Sequence, residues 1–234
     1  ATNLAQLGIT VHLIGVCGED AAGDSLITEI KSHPAIVFTP IRIVNRLTSV
    51  KTRYRAAGQQ ILRVDDEVTS FIDETAQAKF LDIATPVIKR ADLVIISDYG
   101  KGSLPSTLLK LLIKTARTNN RLVIVDPKLA DLSAYSGANL LTPNLGELRN
   151  LINFSSDTIE AIGDAAALLA DRHGFDNVLT TLSARGMLLS NVNGERFHDP
   201  ASARDVFDVS GAGDTVIAVL GGALAAGADI HDAV

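Results

Sequence analysis

At 234 residues with 47 % hydrophobic content, the chain can bury one substantial core and fits one globular domain better than two. A formal charge of −6 without any basic block argues against a nucleic-acid surface, although an acidic protein can still hold a local basic pocket for phosphates. A single cysteine, Cys17, excludes an internal disulfide, and no apolar run reaches the length of a membrane helix, so a cytoplasmic protein with neither nucleic-acid nor membrane partner is expected.

The opening Ala1-Thr-Asn-Leu already reads as mid-helix, and the closing Asp229-Ile-His-Asp-Ala-Val234 begins a helix it does not finish. Together they predict a single domain over 1–234 that is truncated at both ends; no repeat or linker divides it. Val11 to Cys17 reads as a short apolar strand, followed by Gly18-x-Asp20-x-x-Gly23 and an amphipathic helix to about Ser32. Ile36 to Val44 is β-branched, and Ser49 to Glu67 folds back around Ala57-Gly58-Gln59, so a β flap is expected over 36–67. Alternation puts Lys51, Arg53 and Arg55 on one face of the first flap strand and Val50, Tyr54 and Ala56 on the other; Arg63, Asp65 and Glu67 share a face later. The charged face is either a solvated sheet surface or a lid presenting cations to a phosphorylated substrate.

From Asp73 the pattern becomes helix, strand, helix, strand, which predicts an α/β fold with a mainly parallel sheet. The strands are Leu93 to Ser97, Leu122 to Val125, Asn139 to Thr142 and Val178 to Leu182, and their near-continuous hydrophobicity predicts burial on both faces. The first three end in polar residues, Ser97-Asp98-Tyr99-Gly-Lys101, Asp126-Pro-Lys128 and Pro143-Asn144-Leu-Gly-Glu147, where open α/β sheets bind ligands. Asn144 and Glu147 have capping-box spacing, so a helix cap is as good a reading as a metal site, and Lys101 and Lys128 read equally as loop lysines. Met187 to Ser190 and Glu195 to His198 flank a hairpin turn.

Last comes Asp205-Val-Phe-Asp208-Val-Ser210-Gly211-Ala212-Gly213-Asp214-Thr, a strand running into a glycine turn and an Ala-rich helix. Glycines there let backbone N–H groups approach an anion at the positive end of the helix dipole. Asp214, in the first turn, could take a proton from an attacking hydroxyl while those N–H groups stabilise a transferring phosphoryl group. Alone, the turn reads equally as a helix start capped by Ser210. The five histidines lack metal-ligand spacing, and Gly-x-Ser-x-Gly, Walker A and Gly-x-Gly-x-x-Gly motifs are absent, which disfavours metalloproteases, serine hydrolases, P-loop ATPases and Rossmann dehydrogenases.

Taken together, Gly18-x-Asp20-x-x-Gly23, Thr142-Pro-Asn144-x-x-Glu147 and Asp208-Val-Ser-Gly-Ala-Gly-Asp214-Thr resemble the ribokinase-like carbohydrate kinases, the PfkB family, over essentially the whole chain. Gln59-Gln-x-x-Arg63-x-Asp65-x-Glu67, Ser97-Asp-Tyr-Gly-Lys-Gly102 and Val125-Asp-Pro-Lys128 are similar to its branch that phosphorylates D-glycero-D-manno-heptose 7-phosphate at the anomeric oxygen, for lipopolysaccharide precursors. The resemblance implies a three-layer α/β sandwich with a small β lid, ATP and Mg²⁺ as cofactors, and a sugar phosphate as substrate. It further implies a homodimer and, in a longer native chain, a fused adenylyltransferase domain. By residue, Asp214 is the implied base and Gly211, Ala212 and Gly213 the anion hole. Asn144 and Glu147 are implied to organise Mg-ATP through water, with Ser183, Gly186 and Lys128 along the nucleotide. Lys51, Arg53, Arg63, Asp98 and Lys101 are the candidate acceptor contacts. Asp208 and Ser210 match positions that hold a monovalent cation, K⁺, in some relatives. Leu182 departs from the branch, where Arg is common, and the family's Gly-Gly-x-x-Asn sugar-binding segment is expected ahead of Ala1. Another sugar acceptor, or a non-catalytic binding homologue, is the alternative reading.

Overall fold

The computed structural model describes residues 1–56, 59–128, 131–201 and 211–234. The chain forms two compact units: Ala1–Ala84 with Gly100–Pro105, and Thr85–Tyr99 with Ser106–Val234.

In the first unit, a short helix α1 (Thr2–Gln6) precedes β1 (Val11–Gly18), α2 (Ala21–Lys31) and β2 (Ile36–Ile43). β1 and β2 pair in parallel, Val11 opposite Ile36, and α2 packs on both. The Gly18-x-Asp20-x-x-Gly23 motif is a pin at the end of β1. Asp20 caps α2 by accepting the Gly23 N–H at 2.8 Å, and it also accepts the Thr48 N–H at 2.8 Å and the Thr48 hydroxyl at 2.6 Å. Gly18 N–H closes the ring by donating to Thr48 Oγ1 at 2.9 Å. A Cβ on Gly18 would run into the Arg46 carbonyl, so this approach requires glycine. Hydrogen bonds from the Thr48 hydroxyl and the Thr48 and Gly23 amides hold the Asp20 carboxyl below its usual range.

Strands β3 (Val50–Ala56) and β4 (Gln59–Asp66) form a separate antiparallel hairpin, with a register shift between Tyr54 and Arg55. The flap anticipated over 36–67 is thus narrower: β2 belongs with β1, because a β-branched run specifies a strand but not its partner. The register sets Lys51 opposite Asp65 and Arg53 opposite Arg63, so the predicted charged face is real and its charges are mixed. Behind it, Val50, Tyr54, Leu62 and Val64 form an apolar face and all four are exposed. The unit boundary falls inside α3 (Glu74–Arg90).

The second unit is built on β5 (Leu93–Ser97), β6 (Leu122–Asp126), β7 (Leu140–Leu141), β8 (Asn177–Thr181), β9 (Met187–Asn191) and β10 (Arg196–Asp199). They form one sheet in the order β10-β9-β8-β7-β6-β5, parallel from β5 to β8 and antiparallel from β8 to β10. The helices are α4 (Ser106–Thr118), α5 (Leu145–Leu151), α6 (Ile159–His173), α7 (Ala212–Ala225) and α8 (Ile230–Ala233). Ile124, Leu140, Leu179 and Leu189 meet Ile217 and Leu220 of α7 on one face. Alternate positions such as Val123, Val125, Val178 and Leu188 are fully buried on the other, where α4 and α6 pack on the central strands. Among the described residues no helix is long and apolar enough to cross a membrane.

Candidate active site

The parallel half of the second unit's sheet delivers four strand ends to one place. Beyond β5 the backbone remains tied to β6, Asp98 N–H donating to the Asp126 carbonyl at 3.1 Å, and Tyr99 follows. β6 contributes Asp126 and, two residues on, Lys128. β7 leads to Thr142 and Asn144, and an isolated bridge pairs Asn144 with Thr181 at the end of β8. These ends, with the start of α7, enclose a cavity of about 220 Å³ whose walls include Tyr99, Asp126, Lys128, Glu147, Gly213 and Asp214.

The α7 start has the form an anion site needs. Gly211 occupies the N-cap position at φ 80°, a left-handed conformation that favours glycine, and among the described residues no side chain caps the helix. The first-turn N–H groups of Ala212, Gly213 and Asp214 therefore lie where a helix leaves its donors without intrahelical partners. A Cβ at Gly213 would meet no atom of the described residues within 4 Å. Among the described residues packing does not demand a glycine there, and its absent side chain leaves wall space to a ligand. Asp214, in the same turn, accepts a hydrogen bond from Tyr99 Oη at 3.0 Å through Oδ1.

The opposite wall is a carboxylate and lysine cluster. Burial pushes the Asp126 carboxyl up to about 6; Lys128 pulls against this, while the negative charges of Glu147, Asp214 and Asp98 add to it. Lys128 Nζ pairs with Glu147 Oε1 and lies 3.8 Å from Asp126 Oδ1. Burial alone would lower the Lys128 ammonium, but its bond to Glu147 and the Asp126 charge outweigh this and hold it above its usual range. The Asn144–Glu147 capping box is fully formed: Asn144 Oδ1 accepts Glu147 N–H and Glu147 Oε2 accepts Asn144 N–H, both at 2.9 Å. Among the described residues no group of three His, Cys, Asp or Glu side chains closes on a single point.

Of the residues expected from sequence, Gly211, Gly213, Asp214, Asn144, Glu147 and Lys128 share this cavity. Ala212 sits beside them as the first residue of α7. Ser183 and Gly186 bound the turn after β8, both at positive φ, and neither is a wall of the cavity. Asp98, expected at the acceptor, is 4 % exposed and accepts Tyr135 Oη at 2.6 Å. That hydroxyl in turn accepts Lys128 N–H at 3.3 Å, so Asp98 braces the loop that carries Lys128.

The flap candidates belong to the first unit. Lys51 Nζ binds Asp65 at 3.1 Å and Glu67 at 3.2 Å, Arg63 Nε binds Asp65 at 2.9 Å, and Lys101 Nζ binds Glu67 at 2.5 Å. These pairs hold the Glu67 carboxyl below its usual range, chiefly through the bond from Lys101 and then that from Lys51. Arg53 faces Arg63 across the register. Asp208 and Ser210 lie outside the described residues. The sequence put Tyr99 and Asp126 at ligand-binding strand ends and Thr142 in a motif without assigning any of them a role, and it did not single out Thr181. Each stands at or just beyond the carboxyl end of a predicted strand, and that position was the available signal.

Comparison with known proteins agrees with this geometry. The model of the pfkB family carbohydrate kinases matches residues 1–234. Proteins named "Bifunctional protein HldE" are similar along the chain: that of Paramagnetospirillum magneticum is 40 % identical over 235 residues, 99 % of this chain and 47 % of its own length. That of Rhodospirillum rubrum is 41 % identical over 229 residues, 97 % of this chain and 46 % of its own. The chain thus spans about half the length of the curated relatives it matches. Among solved structures, phosphofructokinase-2 from Escherichia coli in complex with potassium superposes with a TM-score of 0.83 at 20 % identity, covering 100 % of this chain and 75 % of that one. Arabidopsis thaliana ribokinase complexed with ribose and ATP gives 0.75 at 21 % identity, covering 99 % and 75 %. At such identities the likeness speaks for the fold, which is ribokinase-like, with a mostly parallel central sheet. With its whole length matched by the family model, the chain belongs to the pfkB family of carbohydrate kinases.

Proposed function

We propose that this kinase transfers the terminal phosphoryl group of ATP to the anomeric hydroxyl of D-glycero-D-manno-heptose 7-phosphate, giving the 1,7-bisphosphate used for lipopolysaccharide precursors in the cytoplasm. The observation that carries the reading is the α7 start, where a glycine turn and Asp214 face the same cavity as Asp126, Lys128 and Glu147. Asp214 takes the proton of the acceptor hydroxyl as its oxygen attacks phosphorus. The N–H groups of Ala212 and Gly213 stabilise charge on the transferring oxygens, and Lys128 offers a cation to the phosphates. Ser183 and Gly186 lie along the nucleotide in this reading.

The residues present fit a hydrated magnesium ion. Asp126 is a desolvated carboxylate lacking full compensation, whereas Asn144 Oδ1 and both Glu147 oxygens already hold partners, which suits contact through water. Magnesium held there would neutralise phosphate charge. Asp208 and Ser210 remain the candidates for a monovalent cation.

The heptose acceptor is supported by the motifs of the flap and strand ends and by the roughly 40 % identity to the HldE proteins. Arg53, with Lys51 and Arg63, is the proposed contact for the sugar's own phosphate, and Lys101 supports that network through Glu67. The exposed apolar face of Val50, Tyr54, Leu62 and Val64 supports a homodimer formed through the hairpin. A fused adenylyltransferase in the native chain is supported by relatives twice as long whose name calls them bifunctional. The test is Asp214→Asn, assayed for phosphoryl transfer from ATP to heptose 7-phosphate. Turnover should fall roughly 10²–10⁴-fold with nucleotide binding retained, and near-normal turnover would remove Asp214 as the base.

A further inference from the structure

Asp214 is held by an asymmetric environment. Its Oδ1 receives the Tyr99 hydroxyl at 3.0 Å, and Tyr99 comes from a different element, the anchored backbone beyond β5. That anchorage is firm. Asp98 N–H extends the ladder to Asp126, and the Asp98 side chain is buried against Tyr135. By contrast, the base stands in the first turn of a helix whose N-cap is a glycine, so the N-cap position offers no side chain to orient it.

We propose that Tyr99 is a positioning residue for the base: its phenol pins Oδ1 of Asp214 so that Oδ2 meets the acceptor hydroxyl. This inference rests on the kinase reading above. In the transfer step the acceptor O–H proton passes to Oδ2, the acceptor oxygen bonds to the terminal phosphorus, and the phosphorus to bridging-oxygen bond breaks with its electron pair leaving on ADP. The phenol keeps its proton throughout. Burial raises the Tyr99 hydroxyl above its usual range, the Asp214 hydrogen bond and charge and the Asp126 charge add to this, and a bond with Ser97 opposes it. Lys128 is a cation within electrostatic reach of the ring. At neutral pH, Tyr99 is therefore a donor to Asp214.

Tyr99→Phe removes the hydroxyl and keeps the ring on the cavity wall. Loss of a hydrogen bond to a charged group predicts a kcat lower by roughly ten- to a hundredfold, with KM for ATP within about twofold and the unfolding midpoint unchanged. A second readout needs no acceptor: ultraviolet phenolate titration of the chain, with Tyr99 identified by its loss in Tyr99→Phe. In Asp214→Asn, which leaves Tyr99 intact, that tyrosine should titrate at lower pH than in the wild type, because a neutral amide replaces the carboxylate. Wild-type kcat in Tyr99→Phe, or an unchanged titration in Asp214→Asn, overturns the proposal. If the wild type fails to use heptose 7-phosphate, the acceptor assignment falls, and the titration still decides whether Tyr99 bonds the base.

Discussion

Asp126 offers a test of the cavity's electrostatics that needs no substrate. Its side chain is 22 % exposed, and burial lifts its carboxyl from 3.8 to about 6. Between those values the folded chain holds a proton that the unfolded chain has lost. Linkage then makes folding stability fall as pH rises through this window and level off above about pH 6 to 7. Roughly two units at 1.36 kcal/mol each set the ionised carboxylate's penalty at about 3 kcal/mol, already net of the attraction to Lys128. Asp126→Asn keeps the shape and removes the ionisation. Urea unfolding of wild type and variant in EDTA isolates this group together with the shifts it imposes on its immediate neighbours, because titrating groups away from it are common to both and cancel. The variant's stability minus that of the wild type should rise between about pH 4 and pH 8 by up to about 3 kcal/mol. A difference that is flat with pH, or that declines, would refute the argument that Asp126 is desolvated without a sufficient partner. The same uncompensated charge is what the proposed magnesium ion would relieve, so the penalty on folding and the proposed cation site would have one origin.

Glu147→Gln should raise the magnesium concentration needed for half-maximal activity, because the amide oxygen can still accept the Asn144 N–H while the charge beside Lys128 is lost; a thermal defect with an unchanged magnesium titration would leave Glu147 as a cap alone. Arg53→Ala should narrow the preference for phosphorylated over free heptose by very roughly ten- to a hundredfold in kcat/KM. Lys51→Ala should do less to that ratio, since Asp65 and Glu67 already hold its ammonium. An unchanged ratio in both variants would take the flap out of phosphate recognition.

The parts of the site legible in the sequence are those encoded over a few residues. The Asn144–Glu147 capping box and the glycine turn before Asp214 each lie within a single turn, where composition and spacing determine backbone geometry. Parallel strands β6 and β8 were legible for a related reason, since an apolar run buried on both faces has few other uses; β5 reads the same way but, among the described residues, stands at the sheet edge with only Ile96 buried. Partner choice was not local. β2 reads as a strand wherever it is placed, and only the fold pairs it with β1. In the hairpin, alternation correctly put Lys51 and Arg53 on one face, but the register across the turn decides that Asp65, and not a ligand alone, meets Lys51. Asp126 illustrates the same limit electrostatically, because its raised carboxyl reflects burial and charges from Glu147 and Asp214, distant in sequence. Glu147 shows why two readings of one motif need not compete. One oxygen completes the cap and fixes the side chain, and the other holds Lys128 at the cavity wall. A carboxylate oriented in this way meets a metal's water shell without spending freedom at the moment of binding, so the cap is part of how the residue would serve the nucleotide.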